Sequence, residues 1–515
     1  MSGQRKQEKD YTSDVTALVP KAEELAAGGK LSEAIDKISA LEKQTRNAAD
    51  MTSTSTLLVL LARLCYEQSD FDTLNTQLTL LSKKHGQLKE AVVRMVDEAM
   101  TWLPDLKAKK DRGEFKNKDR WLELVTTLRD ITEGKIYLEL ARARLTILLA
   151  KHHEAVAETA PKEASSSSVP ASAPSSSTST DKEKDTPKPI PVTAKDHRDA
   201  AADLMSEIQV ETYSSMDKRE KTEFILEQMR LESLRGNWIR VRVGSRKINR
   251  VYLKEPDSAD IKLRYYDLMV QLALQDDAYL EACNAYQAVW DTESVKSDEA
   301  RELNVIENII TYVVLASYDN EQSDMLHKLY ADSNLQKAIL HYDLLKCFVT
   351  KELIRWPGIE SLYGPTLRQS PVFSPESTLG LKTGSKVEGK KEDEINRPGD
   401  VRWEQLHNRV IEHNIRVISG YYSRISLQRL TELLDLSALK TERTLCKLVT
   451  DKSVFAKIDR PAGVVVFKTK ESVNQVLNHW STDVGKMLNL VEKTSHLVAK
   501  EYAMQEASKG KKVKA

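Results

Sequence analysis

A mainly α protein is what this sequence predicts: a curved rod of helical hairpins that ends in a winged-helix domain and one long C-terminal helix. Three observations carry the prediction. Helical periodicity runs through most of the 515 residues, polar turns recur about 40 residues apart, and one convincing β-hairpin stands near the C-terminus. Composition agrees, because 18 glycines and 6% aromatics are too few for an all-β fold, whose turns and strands consume both. The chain is also long enough to bury its cores without disulfides or metals.

The elements follow in order. Residues 1–10 read as a polar tail of mixed charge without the apolar core of a secretory signal. Residues 11–158 read as helical repeats. Their layout is an amphipathic helix, a short polar turn, a large apolar residue and a second amphipathic helix, as at Gly28-Gly29-Lys30 before Leu31 and again at Gln68-Ser69-Asp70 before Phe71. Residues 159–197 hold a Ser/Pro tract with almost no large apolar side chain. Burial cannot offset its ordering entropy there, which predicts a disordered insertion. The repeats resume over 198–370, with Arg235-Gly236-Asn237 before Trp238 and Asp276-Asp277-Ala278 before Tyr279. A period near 40 is that of TPR-like solenoids, in which each hairpin exposes an apolar face that only its neighbour covers. An irregular all-α domain is the alternative. Residues 371–400, with three prolines and scattered glycines, read as a flexible loop.

From 401 to 470 the pattern changes. A helix from Trp403 to Ser423 carries Leu406, Val410, Ile411, Ile415 and Ile418 on one side, and Ser426 is placed to cap a short helix ending at Leu434. A second helix follows Asp435 and runs to about Val449. Phe455 to Asp459, the turn Arg460-Pro461-Ala462-Gly463 and Val464 to Phe467 then read as a hairpin, with Pro and Gly at the positions a tight turn favours. Two short helices and a hairpin make a winged helix. Residues 471–505 read as a final helix roughly 50 Å long. Its apolar positions Val473, Leu477, Trp480, Val484, Met487, Val491 and Val498 alternate steps of four and three, with Thr494 between the last two. That is a heptad seam, suited to packing lengthwise against helices of other chains. Residues 506–515 form a basic tail.

Chemistry is hard to find. Lysine plus arginine and aspartate plus glutamate number 77 each, so no global field draws the chain to nucleic acid or anionic lipid. The longest apolar run, Leu57 to Ala62, is far shorter than a membrane span, so no membrane partner is expected. Cys65, Cys283, Cys347 and Cys446 form no CxxC pair and read as reduced, mostly buried thiols. Gly384 to Lys390 approximates a phosphate loop, but Lys391 stands where a hydroxyl is needed. His407 and His413 lie six residues apart on a helix, about 240° around its axis, and cannot chelate one ion together. No catalytic, cofactor or metal residue is assigned, and no small-molecule substrate. Nucleic-acid binding by the second short helix rests on Lys440, Arg443 and Lys447 but is opposed by Glu442 and Asp451. Use of the hairpin as an exposed sheet edge for a neighbouring subunit fits better.

A helical-repeat rod ending in a winged helix resembles the PCI family, scaffold subunits of the proteasome lid, the cullin-deneddylating signalosome and a translation-initiation complex. Ala456 to Val465 looks like that family's wing hairpin. Leu41 to Arg46, Thr132 to Tyr137, Val210 to Tyr213, Phe224 to Arg230, Asp319 to Asp324 and Val410 to Ile415 together resemble the proteasome-lid branch. The resemblance implies a noncatalytic cytoplasmic and nuclear scaffold in ubiquitin-dependent protein degradation. Its implied partners are other PCI lid subunits, the deubiquitinating metalloprotease subunit and its inactive partner, and the proteasome base and core particle. A signalosome subunit is the alternative. The expected interface residues are Phe455, Lys457, Asp459, Val464 and Val466 around the wing, and Leu477, Trp480, Val484, Met487 and Val491 in the seam.

Overall fold

Helix after helix in the first half of the chain ends in the same way, and the reason is local. The computed structural model describes residues 9–112, 119–159, 193–377, 397–467 and 473–512, with side chains up to 507. The chain divides into two units, Met1–Leu272 and Ala273–Ala515. In the first, Thr12–Ala27 is followed by Leu31–Asn47, Met51–Glu67 by Phe71–Lys83, and Lys218–Arg235 by Trp238–Lys247. Between each pair one residue enters the left-handed region: Gly29 at φ 76°, Ser69 at 56° and Gly236 at 82°. The next amide then reaches back five residues, as Lys30 N does to Leu25 O and Asn237 N to Glu232 O. This closes the orphan carbonyls of the helix and reverses the chain in three residues. The helices so joined pack on their sequence neighbours, and the predicted stacking of helical hairpins holds.

The first unit buries two cores, one running from Val15 to Leu149 and one from Ala143 to Leu272. Polar brackets set their register. Glu42, 1% exposed, accepts from Lys84 Nζ at 2.9 Å and Gln87 Nε2 at 3.2 Å. Arg230 donates to both carboxylate oxygens of Glu154 at 2.7 Å, joining the helices Glu139–Thr159 and Lys218–Arg235. The helix Ala194–Ser206 opens with a capping box formed by Thr193 and Asp196, so the end of the Ser/Pro insertion moves back from 197 to before Thr193. Residues 160–192 lie outside the described residues.

The second unit opens with the same kind of turn, Asp277 at φ 56° before the helix Tyr279–Trp290. Glu299–Leu315, Asn320–Ala331 and Ile339–Val349 follow, and the long helix Pro398–Tyr421 packs on Glu299–Leu315. Asn414 on that helix brackets the backbone of Ile354, taking its N–H at 2.8 Å and donating to its carbonyl at 2.7 Å. The predicted flexible loop over 371–400 is fixed at both ends. Val372 and Phe373 are buried, Arg402 donates to the Val372 carbonyl at 2.8 Å, and Phe373 stands edge-on to Trp403. Gly399 passes so close that a Cβ there would lie 1.9 Å from the Ser374 carbonyl oxygen, which only glycine permits. Two apolar side chains can anchor a proline-rich segment that looks polar on average. Residues 378–396 lie outside the described residues.

Candidate interaction surfaces

The winged helix assembles around one apolar centre. Ser426 accepts from the Arg429 amide and caps Leu427–Leu434, and Ser437 caps Ala438–Thr450 in the same manner. Leu430 and Leu434 from the first helix and Thr441, Leu445 and Leu448 from the second turn inward, meeting Ile411, Ile415 and Ile418 of the long helix. Beside them lies a three-stranded antiparallel sheet of β1 (Arg424–Ser426), β2 (Lys457–Asp459) and β3 (Val464–Val466), in the order β1-β3-β2. Ile425, Val465 and Ile458 stand in register, and Val465 is fully buried.

That order corrects one expectation. Val464 and Val466 do not lie at an exposed edge, because β1 pairs with β3 on the side away from β2. Leu427 N also donates to Gly463 O at 2.7 Å and Phe467 N to Ser423 O at 3.0 Å, extending that pairing beyond the strands. The two valines are half-buried and have only side chains to offer. Among the hairpin strands the outer position belongs to β2, where Lys457 and Asp459 are exposed, with Phe455 40% exposed just before it. A three-residue strand carries too little alternation to be read in sequence, and β1 was missed for that reason.

The wing turn is tied back onto the second helix, where Arg460 Nε meets Glu442 Oε1 at 2.7 Å. Lys447 lies 3.5 Å from Glu412. One of the three cations named for nucleic-acid binding, Lys447, and the arginine of the wing turn are therefore already paired within the fold, which weakens that reading. Cys446 is exposed, contrary to the expected buried thiol, because Leu445 and Leu448 occupy the inward face of its helix. His413 is buried, and burial pushes its pKa down to about 4 while the Glu352 carbonyl holds its Nε2 at 3.3 Å. His407 stacks on Trp356 at 4.4 Å between ring centres. Among the described residues no group of three or more His, Cys, Asp or Glu is placed to hold a metal ion, and no helix is long and apolar enough to cross a membrane.

The final helix, Val473–Lys512, has 40 residues and is about 60 Å long at 1.5 Å per residue, longer than predicted. Every described side chain on it through 507 is exposed. Leu477 is 53% exposed, Trp480 69%, Val484 42%, Met487 67% and Val491 61%, so the whole seam faces outward from its own chain. The sequence reading missed a second row, Leu490, Leu497 and Met504, also exposed and spaced by seven residues. That spacing was the available signal. Flanking the seam, the row widens the apolar face beyond what one partner helix covers.

Comparison with known proteins agrees along the chain. Residues 33–298 match the family model described as PSMD12/CSN4, N-terminal, residues 379–469 the PCI domain, and residues 474–506 the 26S proteasome regulatory subunit RPN5 C-terminal domain. The chain is 37% identical over 470 residues to 26S proteasome regulatory subunit rpn501 of Schizosaccharomyces pombe, covering 91% of each chain. It is 36% identical over 502 residues to 26S proteasome regulatory subunit RPN5 of Saccharomyces cerevisiae, covering 97% of each. To 26S proteasome non-ATPase regulatory subunit 12 of Dictyostelium discoideum it is 36% identical over 499 residues, covering 97% of this chain and 96% of that one. With the stacked hairpins, the winged helix and the terminal helix each overlapped by one of three successive family matches, the chain belongs to the RPN5/PSMD12 family of PCI-domain proteins.

Proposed function

We propose that this chain is a noncatalytic scaffold subunit of the lid of the proteasome regulatory particle, acting in ubiquitin-dependent protein degradation. The observation that carries the reading is the terminal helix. It is 40 residues long with every described side chain through 507 exposed, and residues 474–506 are those that match the RPN5 C-terminal domain. An isolated helix with two rows of large apolar side chains in water gains stability only when other helices cover them. The winged helix contributes through β2, whose outer backbone groups and exposed Phe455, Lys457 and Asp459 suit strand-to-strand contact with a neighbouring PCI subunit, with Val464 and Val466 adding side-chain contacts. The partners of this reading are other PCI lid subunits, then the deubiquitinating metalloprotease subunit with its inactive partner, and the base and core particle. Cytoplasm and nucleus are the corresponding compartments.

The N-terminal match is named for two proteins at once and does not separate the lid from the signalosome. The C-terminal match is named for RPN5 alone and favours the lid. Deletion of residues 471–515 is the test. The shortened chain is expected to keep its helical circular dichroism and its melting transition but to be lost from a lid-sized assembly on purification. Normal co-purification of the shortened chain overturns the proposal.

A further inference from the structure

Arg416 carries a charge, and among the described residues no carboxylate hydrogen-bonds its Nη1. It sits on the helix Pro398–Tyr421, at a cleft of about 450 Å³ that this helix forms with Asn320–Ala331 and Ile339–Val349. Its guanidinium lies over the Tyr318 ring, 3.9 Å from the centroid, and its Nη1 is buried with no hydrogen-bond partner. A buried guanidinium N–H without an acceptor is costly, and proteins keep such a group where something else completes it. The carboxylate one turn away does not do so: Glu412 is turned to Arg409 at 2.6 Å and Lys447 at 3.5 Å and accepts no hydrogen bond from Nη1.

The surroundings of Arg416 select the missing group. No Asp or Glu side chain lines the cleft; Lys351 and His327 are exposed along it, and Tyr318, Phe348 and Tyr421 supply aromatic surface. His413 adds no charge near neutral pH, since burial keeps its imidazole neutral. The Tyr421 hydroxyl donates to the Lys351 carbonyl at 3.2 Å and fixes that side of the opening. An excess of cations beside aromatic walls suits a carboxylate carried on an apolar stem. The volume exceeds what an inorganic anion needs and falls in the range of a bound side-chain cluster.

We propose that this cleft receives an acidic segment of another polypeptide, with one carboxylate facing the half-buried guanidinium of Arg416 and a neighbouring apolar side chain resting against Tyr318 and Phe348. The inference stands on the second unit by itself and goes beyond the lid reading, which involves the β2 edge and the terminal helix.

The test uses the full chain and a short fluorescein-labelled, C-terminally amidated peptide alternating glutamate and phenylalanine, with its glutamine counterpart as control. Fluorescence polarisation is expected to show the glutamate peptide binding roughly tenfold or more tightly than the glutamine peptide. Arg416→Gln is expected to abolish that difference and Lys351→Glu to reduce it several-fold. Should Arg416→Gln fail to fold, Lys351→Glu at an exposed position decides alone. Equal binding of the two peptides, no binding of either, or an unchanged preference in the deciding variant overturns the proposal. Displacement of the peptide by millimolar inorganic phosphate, beyond the effect of chloride at equal ionic strength, also overturns it, because the cleft would then read a small anion.

Discussion

The winged helix and the terminal helix are neighbours in the sequence, and both carry amphipathic stripes, yet they treat their apolar residues in opposite ways. Leu445 in the winged helix is fully buried, whereas Leu488 on the terminal helix is 64% exposed. The winged helix closes its core with a helix, a helical hairpin and a sheet, each supplying one face. The terminal helix has the same alternation of apolar and polar positions and, among the described residues, nothing of its own chain over it. Periodicity alone reports that a face will be covered. It does not report by which molecule.

Mutations can break or sharpen this contrast. The largest expected effect is Leu445→Ala, which empties a closed core and should lower the unfolding free energy of the isolated chain by ~2–5 kcal/mol in urea titrations. A loss as small as that of a surface change would show that the winged helix is not self-contained. Next comes acidity. The folded pKa of His413 is pushed down to about 4 from an ordinary 6.5. Between those values the unfolded chain binds the proton and the folded chain does not, so stability is lost as pH falls through that window, by up to roughly 3 kcal/mol. His413→Asn should reduce the slope measured between pH 7 and pH 5, leaving that of His153, whose pKa burial lowers to about 4, and of His152, His341 and His407, which burial also pushes down. Ser426→Ala removes the cap that starts the first winged-helix segment and should cost about 1 kcal/mol. The smallest effect on the isolated chain belongs to Trp480→Ala, within about 0.5 kcal/mol despite the size of the residue, because nothing covers it. The same variant should be depleted from purified lid assemblies. A large loss of stability in the isolated chain would place Trp480 in a core and undo the comparison.

Much of this was legible beforehand. Each of the four turns named from sequence holds a left-handed residue between two helices, because Gly, Ser and Asp beside a large apolar residue tell the chain to reverse and then pack, while Ala49 and Asp435 make further reversals of this kind that were not named. Several sequence blocks that carried the family resemblance contain the polar brackets: Glu42, Arg230, Gln322, which donates to the Val313 carbonyl at 3.0 Å, and Asn414. A buried polar group must meet one particular partner, so its identity is held more tightly than that of a leucine among leucines. The misses were short or dependent on context. β1 is three residues long, Cys446 differs from Leu445 only by 100° around a helix, and Val372-Phe373 is an anchor inside a proline-rich stretch.

Sequence by itself determined the helical class, the positions of the reversing turns, the winged-helix elements and the seam on the last helix, since all of these follow from local backbone preferences and the period of apolar residues. Tertiary structure alone decided that β3 is the middle strand and β2 an outer one, that Glu412 meets two cations while Arg416 keeps an unpaired N–H, and that the seam finds no cover among the described residues of its own chain. Each of those depends on which distant segments meet, and hydrogen-bond partners and solvent exclusion are settled only when they do.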